Sequence, residues 1–216
     1  EFPSLGTGDY RTPACIIKNT DRTYSSDFRY VSHSIRDGKY SLKGLPAVYA
    51  DDTEAQTLEV VLEDRVSKVR AELLYGVLPE YDVITRSVKI VNASEGHVSV
   101  KKLAPACLDM VGGDYDFITF YGRHAMERNY QRLPIGHGVS KIGSLRGTSS
   151  HQYNPAVIVA EHDTTEESGS CYAMSFVYSG GFQSEAGQDQ YYQTRVLMGF
   201  SEEQFAYPLG AGEEFQ

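Results

Sequence analysis

The chain has 216 residues, 41% of them hydrophobic, and a formal net charge of −9 at pH 7. This length is enough to bury a sizeable core, but no apolar run approaches the ~20 residues that span a bilayer, and no secretory signal opens the chain. Because no lysine and arginine cluster stands clear of acidic residues, nucleic acid and anionic membranes are poor partners.

Apolar and polar residues alternate over many short segments, and a helical period is almost absent. Turn signals separate these segments at intervals of about 8–15 residues, which is typical of a large all-β sandwich. We therefore expect one domain over residues 1–216. Strands are predicted at Cys15–Asn19, Phe28–Ile35, Leu58–Glu63, Val69–Leu74, Val83–Asn92, His97–Lys101, Asp116–Tyr121, Ala156–Ala160, Tyr172–Tyr178 and Thr194–Gly199.

The clearest alternation is VITRSVKIVN at Val83–Asn92, where every second residue is apolar over most of the segment. A turn-forming stretch then leads into HVSV, so we predict a hairpin over Val83–Val100. The apolar run Leu103–Leu108 contains Pro105, which cannot donate a backbone hydrogen bond. It is therefore predicted to be an edge strand or the start of a strand.

A long polar run extends from Tyr130 to Pro155 and contains the segment RGTSSHQYNP. The run is rich in glycine, arginine and histidine, and it offers little to bury. We predict a loop here, and loops longer than ~12–15 residues are usually functional or disordered. A sugar, an anion or another subunit is the expected partner.

Three widely spaced cysteines, Cys15, Cys107 and Cys171, indicate free thiols in a reducing cytoplasm rather than a disulfide framework. No pair of cysteines or histidines has the spacing of a zinc site. We expect a cytoplasmic protein with no metal and no cofactor.

An acidic segment, YADDTE, includes Asp51, Asp52 and Glu54 just before a predicted strand. Glycoside hydrolysis needs two carboxyl groups on either side of one bond. Neighbouring residues of a strand point to opposite faces, so the favoured interpretation is a solvated acidic turn.

Four histidines, His124, His137, His151 and His162, lie near acids or amides in the sequence. A histidine beside a carboxylate can exchange protons with a sugar, as in the aldose mutarotases, which are also large β-sandwiches. A stand-alone mutarotase-like sugar epimerase is therefore an open alternative. A carbohydrate-binding module without chemistry is another.

Seven segments together resemble, in the right order and over nearly the whole chain, the N-terminal β-supersandwich of family 36 α-galactosidases. They are EFPSLGTGDYRTPA (1–14), DFRYVSHSI (27–35), GLPAVYADDTEAQTLEVVLED (44–64), YDVITRSVKIVN (81–92), RGTSSHQYNP (146–155), YAMSFVYSGGF (172–182) and TRVLMGF (194–200). The resemblance implies a large antiparallel two-sheet β-supersandwich of the galactose mutarotase-like type.

The resemblance also implies that this chain contains no catalytic residue. In the family, both catalytic aspartates belong to a (β/α)8 barrel that follows the supersandwich, and the nucleophile lies in a Lys-Trp-Asp motif. This chain has no tryptophan. The full-length enzyme is expected to be a retaining, metal-independent α-galactosidase for melibiose- and raffinose-type sugars.

The family's N-terminal domain packs on its own barrel, builds a homotetramer and sends loops to the active-site rim. One such loop reads GAWARERH in many members, and the matching segment here is Tyr121–Asn129, with His124 in place of the tryptophan. By resemblance, His124, Glu127 and Arg128 contact α-galactosides at the rim or a neighbouring subunit. Arg146, His151 and Asn154 are assigned to an interface or to the rim.

The chain begins with Glu1 rather than methionine and ends at Gln216, and we expect it to be part of a longer enzyme. The part alone should be inactive. If a barrel normally covers it, one sheet should expose an apolar patch larger than monomers usually show.

Overall fold

The computed structural model describes residues 2–203 and 205–216, and nearly all of its regular structure is antiparallel β-sheet. The only helical element in these residues is a single 3-10 turn at Pro79–Tyr81. The strands are β1 (Cys15–Lys18), β2 (Phe28–Asp37), β3 (Gln56–Asp64), β4 (Val69–Leu78), β5 (Val83–Asn92), β6 (Val98–Leu103), β7 (Ala106–Val111), β8 (Tyr115–Arg123), β9 (Met126–Pro134), β10 (Gly138–Gly143), β11 (Tyr153–Glu161), β12 (Cys171–Ser175), β13 (Phe182–Gln188), β14 (Gln193–Phe200), β15 (Tyr207–Leu209) and β16 (Glu214–Phe215).

The chain forms two compact units. The first unit contains Glu1–Pro105 and Phe205–Gln216, and the second contains Ala106–Gln204. The all-β antiparallel prediction is confirmed, and the single-domain assignment stays a prediction. No helix in the described residues is long and apolar enough to cross a membrane.

The first unit has a five-stranded sheet in the order β16-β5-β4-β3-β2 and a three-stranded sheet in the order β1-β6-β15. The five-stranded sheet forms because alternate residues of its central strands are apolar. Ala71 pairs with Ile90 and Leu73 with Val88, and all four are buried on one face. Cross-strand apolar pairs of this kind stabilise the sheet against solvent.

The predicted hairpin over Val83–Val100 is wrong, because β5 and β6 belong to different sheets. The fully buried Asn92 redirects the chain between them. Its Nδ2 lies 2.8 Å from the Gly96 carbonyl oxygen and 3.0 Å from each of the Leu209 and Gly210 carbonyl oxygens. Its Oδ1 accepts from the backbone N–H and hydroxyl of Ser94. Side-chain bonds of this kind replace the ladder that a hairpin would have made.

Pro105 lies where the sequence places a strand boundary. β6 ends two residues before it, and β7 begins directly after it as the edge strand of its sheet. The prediction of an edge strand or strand start is confirmed.

The second unit packs two four-stranded sheets, β10-β13-β14-β7 and β12-β11-β8-β9, around one apolar core. Both sheets contribute alternate residues to it. The buried core residues are Met110, Phe117, Ile135, Val157, Val159, Ala186, Val196 and Met198. Two sheets that share one apolar layer define a β-sandwich.

The predicted long loop from Tyr130 to Pro155 is wrong over most of its length. β9 and β10 occupy much of this run, and residues 135–137 and 144–152 lie outside strands, with isolated bridges at His137 and Ser150. Both strands are sheet edges, and most of their residues are exposed on both faces. An edge strand in this position needs no apolar face, so the alternation that reveals a strand is missing.

The three cysteines differ in environment. Cys15 is fully buried, and burial raises the pKa of its thiol to about 12. Cys107 is half-buried, whereas Cys171 is exposed at the start of an edge strand. Their thiols form no disulfide within the described residues.

We predict that Asn92→Ala lowers the free energy of unfolding by about 2–4 kcal/mol, because the buried polar groups that Asn92 contacts lose their hydrogen-bond partner. Urea denaturation followed by circular dichroism measures this. Asn129→Ala is the matched control, since its Nδ2 also bonds two carbonyl oxygens but at the exposed end of the β8–β9 hairpin. A loss below about 1 kcal/mol is expected for the control, and equal losses for the two variants would contradict the role given to Asn92.

Candidate functional site

The six residues predicted for the rim lie in two segments of the second unit. His124, Glu127 and Arg128 are at the tip of the β8–β9 hairpin. Arg146 and His151 lie in the irregular stretch before β11, and Asn154 is the second residue of β11. The register places Tyr121 of β8 between Tyr153 of β11 and Asn129 of β9. The structure therefore brings both segments to the same end of one sheet.

The hairpin tip is held by side chains as well as by the ladder. Arg123 pairs with Met126, and Ala125 in the intervening turn donates its backbone N–H to Glu127 Oε1 at 2.9 Å. Asn129 Nδ2 donates to the Met126 carbonyl oxygen at 2.9 Å. Glu127 therefore helps to hold the turn in place, and its assignment to the rim or an interface stays a prediction.

The hairpin tip contains two non-glycine residues with left-handed backbone. Ala125 and Arg128 have φ values of 60° and 56°, a region that non-glycine residues seldom adopt. The β8–β9 register shifts at Gly122 in β8, where an added Cβ atom would collide with the Met126 carbonyl oxygen. Only glycine fits this close approach. Strained residues persist when their surroundings fix them, and they cluster at binding and catalytic sites.

The exposed surface of the tip combines basic side chains with largely apolar ones. His124 and Arg128 are exposed, and so are Tyr121, Met126 and Tyr130, with 44%, 48% and 57% of their surface accessible. Tyrosine offers an apolar face for stacking and a hydroxyl for hydrogen bonding. This combination suits a sugar or a protein surface.

The second segment is braced internally and leaves its histidine exposed. Arg146 Nε donates to Gln152 Oε1 at 3.1 Å, and the buried Ser144 donates its hydroxyl to the Thr148 carbonyl oxygen at 2.6 Å. His151 is exposed and Asn154 is half-buried. The guanidinium of Arg146 therefore supports the loop, and the assignment of this segment to an interface or rim stays a prediction.

Only one of the four candidate histidines lies beside a carboxylate in the described part of the chain. His162 Nδ1 is 3.1 Å from Oδ1 of the buried Asp116, and Arg132 Nε is 2.6 Å from Oδ2. The same guanidinium donates to the carbonyl oxygens of Glu161, His162 and Thr164. The carboxylate thus anchors the β11–β12 loop. Sequence reasoning missed Asp116 and Arg132, because ion pairs between strands leave no local pattern.

The hydrogen bonds and charges of this cluster shift the pKa values of Asp116 and His162. Burial alone would raise the pKa of Asp116, but hydrogen bonds from His162 and Arg132 outweigh burial and lower it. The hydrogen bond to Asp116, followed by its charge, raises the pKa of His162. His162 and Asp116 both help to hold the β11–β12 loop, and the mutarotase-like alternative stays a prediction.

The acidic segment is an exposed turn, as the sequence predicts. Asp51 accepts from the Tyr49 hydroxyl at 2.5 Å, and Glu54 accepts from the Tyr81 hydroxyl at 3.2 Å and from the Asp51 backbone N–H at 2.8 Å. These hydrogen bonds raise the pKa of both tyrosines. Across the described residues, no group of three or more histidine, cysteine or acidic side chains could hold a metal ion.

One end of the five-stranded sheet exposes apolar side chains. Ile35, Val77 and Ile84 are 66%, 38% and 66% accessible, and register places them on adjacent rows of the same face. We call these three residues the apolar end. The face that forms the core elsewhere in the sheet is uncovered here. The unusually large apolar patch predicted for one sheet stays a prediction.

Comparison with known proteins relates the chain to one protein family over its whole length. The family model described as glycosyl hydrolase family 36 N-terminal domain matches residues 1–210. The bifunctional α-galactosidase/sucrose kinase AgaSK of Mediterraneibacter gnavus is 60% identical over 215 residues, which are 100% of this chain and 23% of that protein. The α-galactosidase Mel36A of Lactobacillus acidophilus is 43% identical over 217 residues, 100% of this chain and 30% of that protein.

Two solved structures of α-galactosidases resemble this chain over all or nearly all of its length. The galactosidase domain of AgaSK superimposes with a TM-score of 0.97 at 60% identity, covering 100% of this chain and 30% of that chain. The family 36 α-galactosidase AgaA of Geobacillus stearothermophilus gives 0.96 at 36% identity, covering 99% and 30%. This chain therefore spans less than a third of the length of these relatives.

We predict that Gly122→Ala lowers the free energy of unfolding by about 1–3 kcal/mol, because a methyl group there must displace the backbone of β9. Urea denaturation measures the loss, and amide chemical shifts should show that it is centred on residues 122–128. Gly136→Ala is the control, because a Cβ atom there meets nothing within 4 Å. If both substitutions leave the tip unchanged, the close approach at Gly122 is not a constraint.

We predict that the stabilisation from the His162–Asp116 ion pair weakens as pH rises. Because its pKa is raised on folding, its contribution is fully present below the ordinary value of 6.5 and is lost as pH rises through the raised pKa. The lowered pKa of Asp116 acts oppositely, with stability lost as pH falls through that value. Denaturation of wild type and His162→Gln from about pH 5 to about pH 9 should show a difference that fades at high pH.

His151→Gln serves as the control for this measurement, since its ring contacts no carboxylate in residues 2–203 or 205–216. A His162→Gln difference that does not change with pH would contradict the ion pair.

Proposed function

Because the chain belongs to the glycosyl hydrolase family 36 N-terminal domain family, we propose that it is the non-catalytic N-terminal domain of an α-galactosidase. The observation that carries this proposal is the full-length match to α-galactosidases that are three to four times longer. On this proposal, the complete enzyme removes terminal α-D-galactosyl residues with retention, and its chemistry resides in the remaining part of the polypeptide.

The arrangement of carboxylates supports a non-catalytic role. Retaining hydrolysis needs two carboxyl groups ~5–5.5 Å apart, one of them free to attack the sugar. The acidic side chains described above are committed to other contacts: Asp116 anchors a loop, and Asp51 and Glu54 organise an exposed turn. The catalytic pair is therefore expected on a following (β/α)8 barrel, as family resemblance implies.

The exposed surfaces suggest how this domain serves the enzyme. The apolar end of the five-stranded sheet is suited to packing on the barrel, because an uncovered core face is costly in water. The strained hairpin tip is suited to the active-site rim, where His124 and Arg128 would contact α-galactosides or a neighbouring subunit. A cytoplasmic homotetramer is the assembly we propose from family resemblance.

Activity measurements test this proposal. The 216-residue chain should show no turnover of p-nitrophenyl α-galactoside, whereas a polypeptide extended to the length of its relatives should hydrolyse it. Within that longer polypeptide, Ile84→Lys should lower the midpoint of thermal inactivation by several degrees, because it charges an interface. A loss of 1 kcal/mol shifts the melting midpoint of a large domain by roughly 2–4 °C.

Val111→Lys is the matched control, since this valine is 87% exposed at the end of an edge strand outside the apolar end. It should leave the inactivation midpoint unchanged. Turnover by the 216-residue chain alone would refute a non-catalytic role.

A further inference from the structure

The tip of the β8–β9 hairpin carries an exposed methionine. The sequence contains four methionines, all within the described residues. Met126 is 48% accessible, whereas Met110 and Met198 are 8% and 2% accessible and Met174 is half-buried against the core of the second unit. Because an oxidant must contact the sulfur directly, a buried thioether reacts only when the structure opens around it. Met126 is therefore the methionine at which oxidation should begin.

The sulfur of Met126 has a hydrogen-bond donor on one side. Arg123 Nη2 donates to Met126 Sδ at 3.0 Å. The guanidinium keeps its charge at every physiological pH, so this donor is always present. A thioether sulfur has two lone pairs, and it is a weak acceptor. The contact with Arg123 occupies one lone pair and leaves the other open to a reagent, so the two sides of the sulfur are not equivalent in the folded chain.

The backbone around this pair is held by contacts that do not involve the sulfur. Arg123 and Met126 lie opposite each other in the β8–β9 ladder. The Met126 carbonyl oxygen accepts from Asn129 Nδ2 at 2.9 Å, and Glu127 Oε1 accepts the Ala125 backbone N–H at 2.9 Å. Because these bonds use main-chain atoms of residues 125 and 126, the hairpin should keep its conformation when the thioether is modified.

We propose that Met126 is a site of reversible oxidation by hydroperoxides, and that Arg123 directs the oxygen to one side of the sulfur. The open lone pair attacks one peroxide oxygen, and the O–O bond breaks. The departing hydroxide then takes the proton of the transferred oxygen. A thioether and hydrogen peroxide thus give a sulfoxide and water, with the sulfur oxidised and the peroxide reduced. Since the guanidinium occupies the other side, one of the two sulfoxide epimers should predominate.

Oxidation at this position changes the chemistry of the tip rather than its fold. The thioether is one of the largely apolar side chains exposed there, together with Tyr121 and Tyr130. The sulfoxide is polar and chiral, and methionine sulfoxide reductases convert it back to the thioether. This inference is independent of the α-galactosidase proposal, because it concerns only the thioether and the guanidinium. Failure of one would leave the other standing.

Treatment of the native 216-residue chain with hydrogen peroxide tests the position of the reaction. The exposed thiol of Cys171 is alkylated beforehand, so that it does not consume the reagent. Peptide mass spectrometry should show that Met126 gains one oxygen at least about tenfold faster than the other three methionines, because only its sulfur is reached without opening the core. Oxidation of Met174 at the same rate as Met126 would overturn the proposal.

The ratio of the two epimers tests the role of Arg123. Peptides of the oxidised chain are treated with methionine sulfoxide reductase A or B, each of which reduces one epimer. One reductase should repair Met126 about threefold to tenfold more completely than the other, which is the effect of one hydrogen bond. Arg123→Ala, a change at an exposed position, should bring the two yields close to equality.

The same chain oxidised in concentrated urea is the matched control, since unfolding removes the contact between Arg123 and the sulfur without any substitution. Its two yields should also be nearly equal. Equal yields from the native chain, or an Arg123→Ala variant as selective as the wild type, would contradict the direction of the reaction by Arg123.

Discussion

Because residues 2–203 and 205–216 contain no α-helix, their buried backbone groups find most of their partners in other strands, often distant in sequence. This constraint governs the first unit. β6 is paired on one side with β1 and on the other with β15, so residues 15–18 and 207–209 complete one sheet around it. Asn92 links that sheet to the five-stranded sheet, because its amide contacts carbonyl oxygens at Leu209 and Gly210. The backbone hydrogen bonds between these strands and the side chain of Asn92 together determine the path of the chain between the two sheets.

Strands with one buried face could be predicted from the sequence, and strands at sheet edges could not. The alternation at Val83–Asn92 and the proline at position 105 each gave a correct boundary. β9 and β10 were taken for a loop, because solvent reaches both of their faces and no apolar period is needed. The incorrect prediction of a hairpin over Val83–Val100 had another cause. A short turn after a strand is compatible with returning to the same sheet or crossing to another, and Asn92 decides between them through contacts more than a hundred residues away.

The candidate site was predictable only in part. Resemblance pointed to His124, Glu127 and Arg128, and the hairpin does present them at an exposed tip. The left-handed backbone of Ala125 and Arg128 had no local signal, because neither residue type favours that conformation. Gly122 was the readable clue, since a glycine inside a strand often marks a bulge or close approach. The ion-pair cluster of Asp116, Arg132 and His162 joins three separate segments, and only the fold reveals it.

The position of β15 and β16 has a consequence for how the chain is made. Both strands belong to the first unit, yet they follow the whole second unit in sequence. A ribosome therefore finishes residues 106–204 before it supplies β16 and β15, the second partners of β5 and β6. Until then each of those two strands exposes one unpaired edge, which is a template for aggregation. The second unit, with its uninterrupted run of strands, is free to fold first, and the order of synthesis thus makes the N-terminal part of the chain the last to be completed.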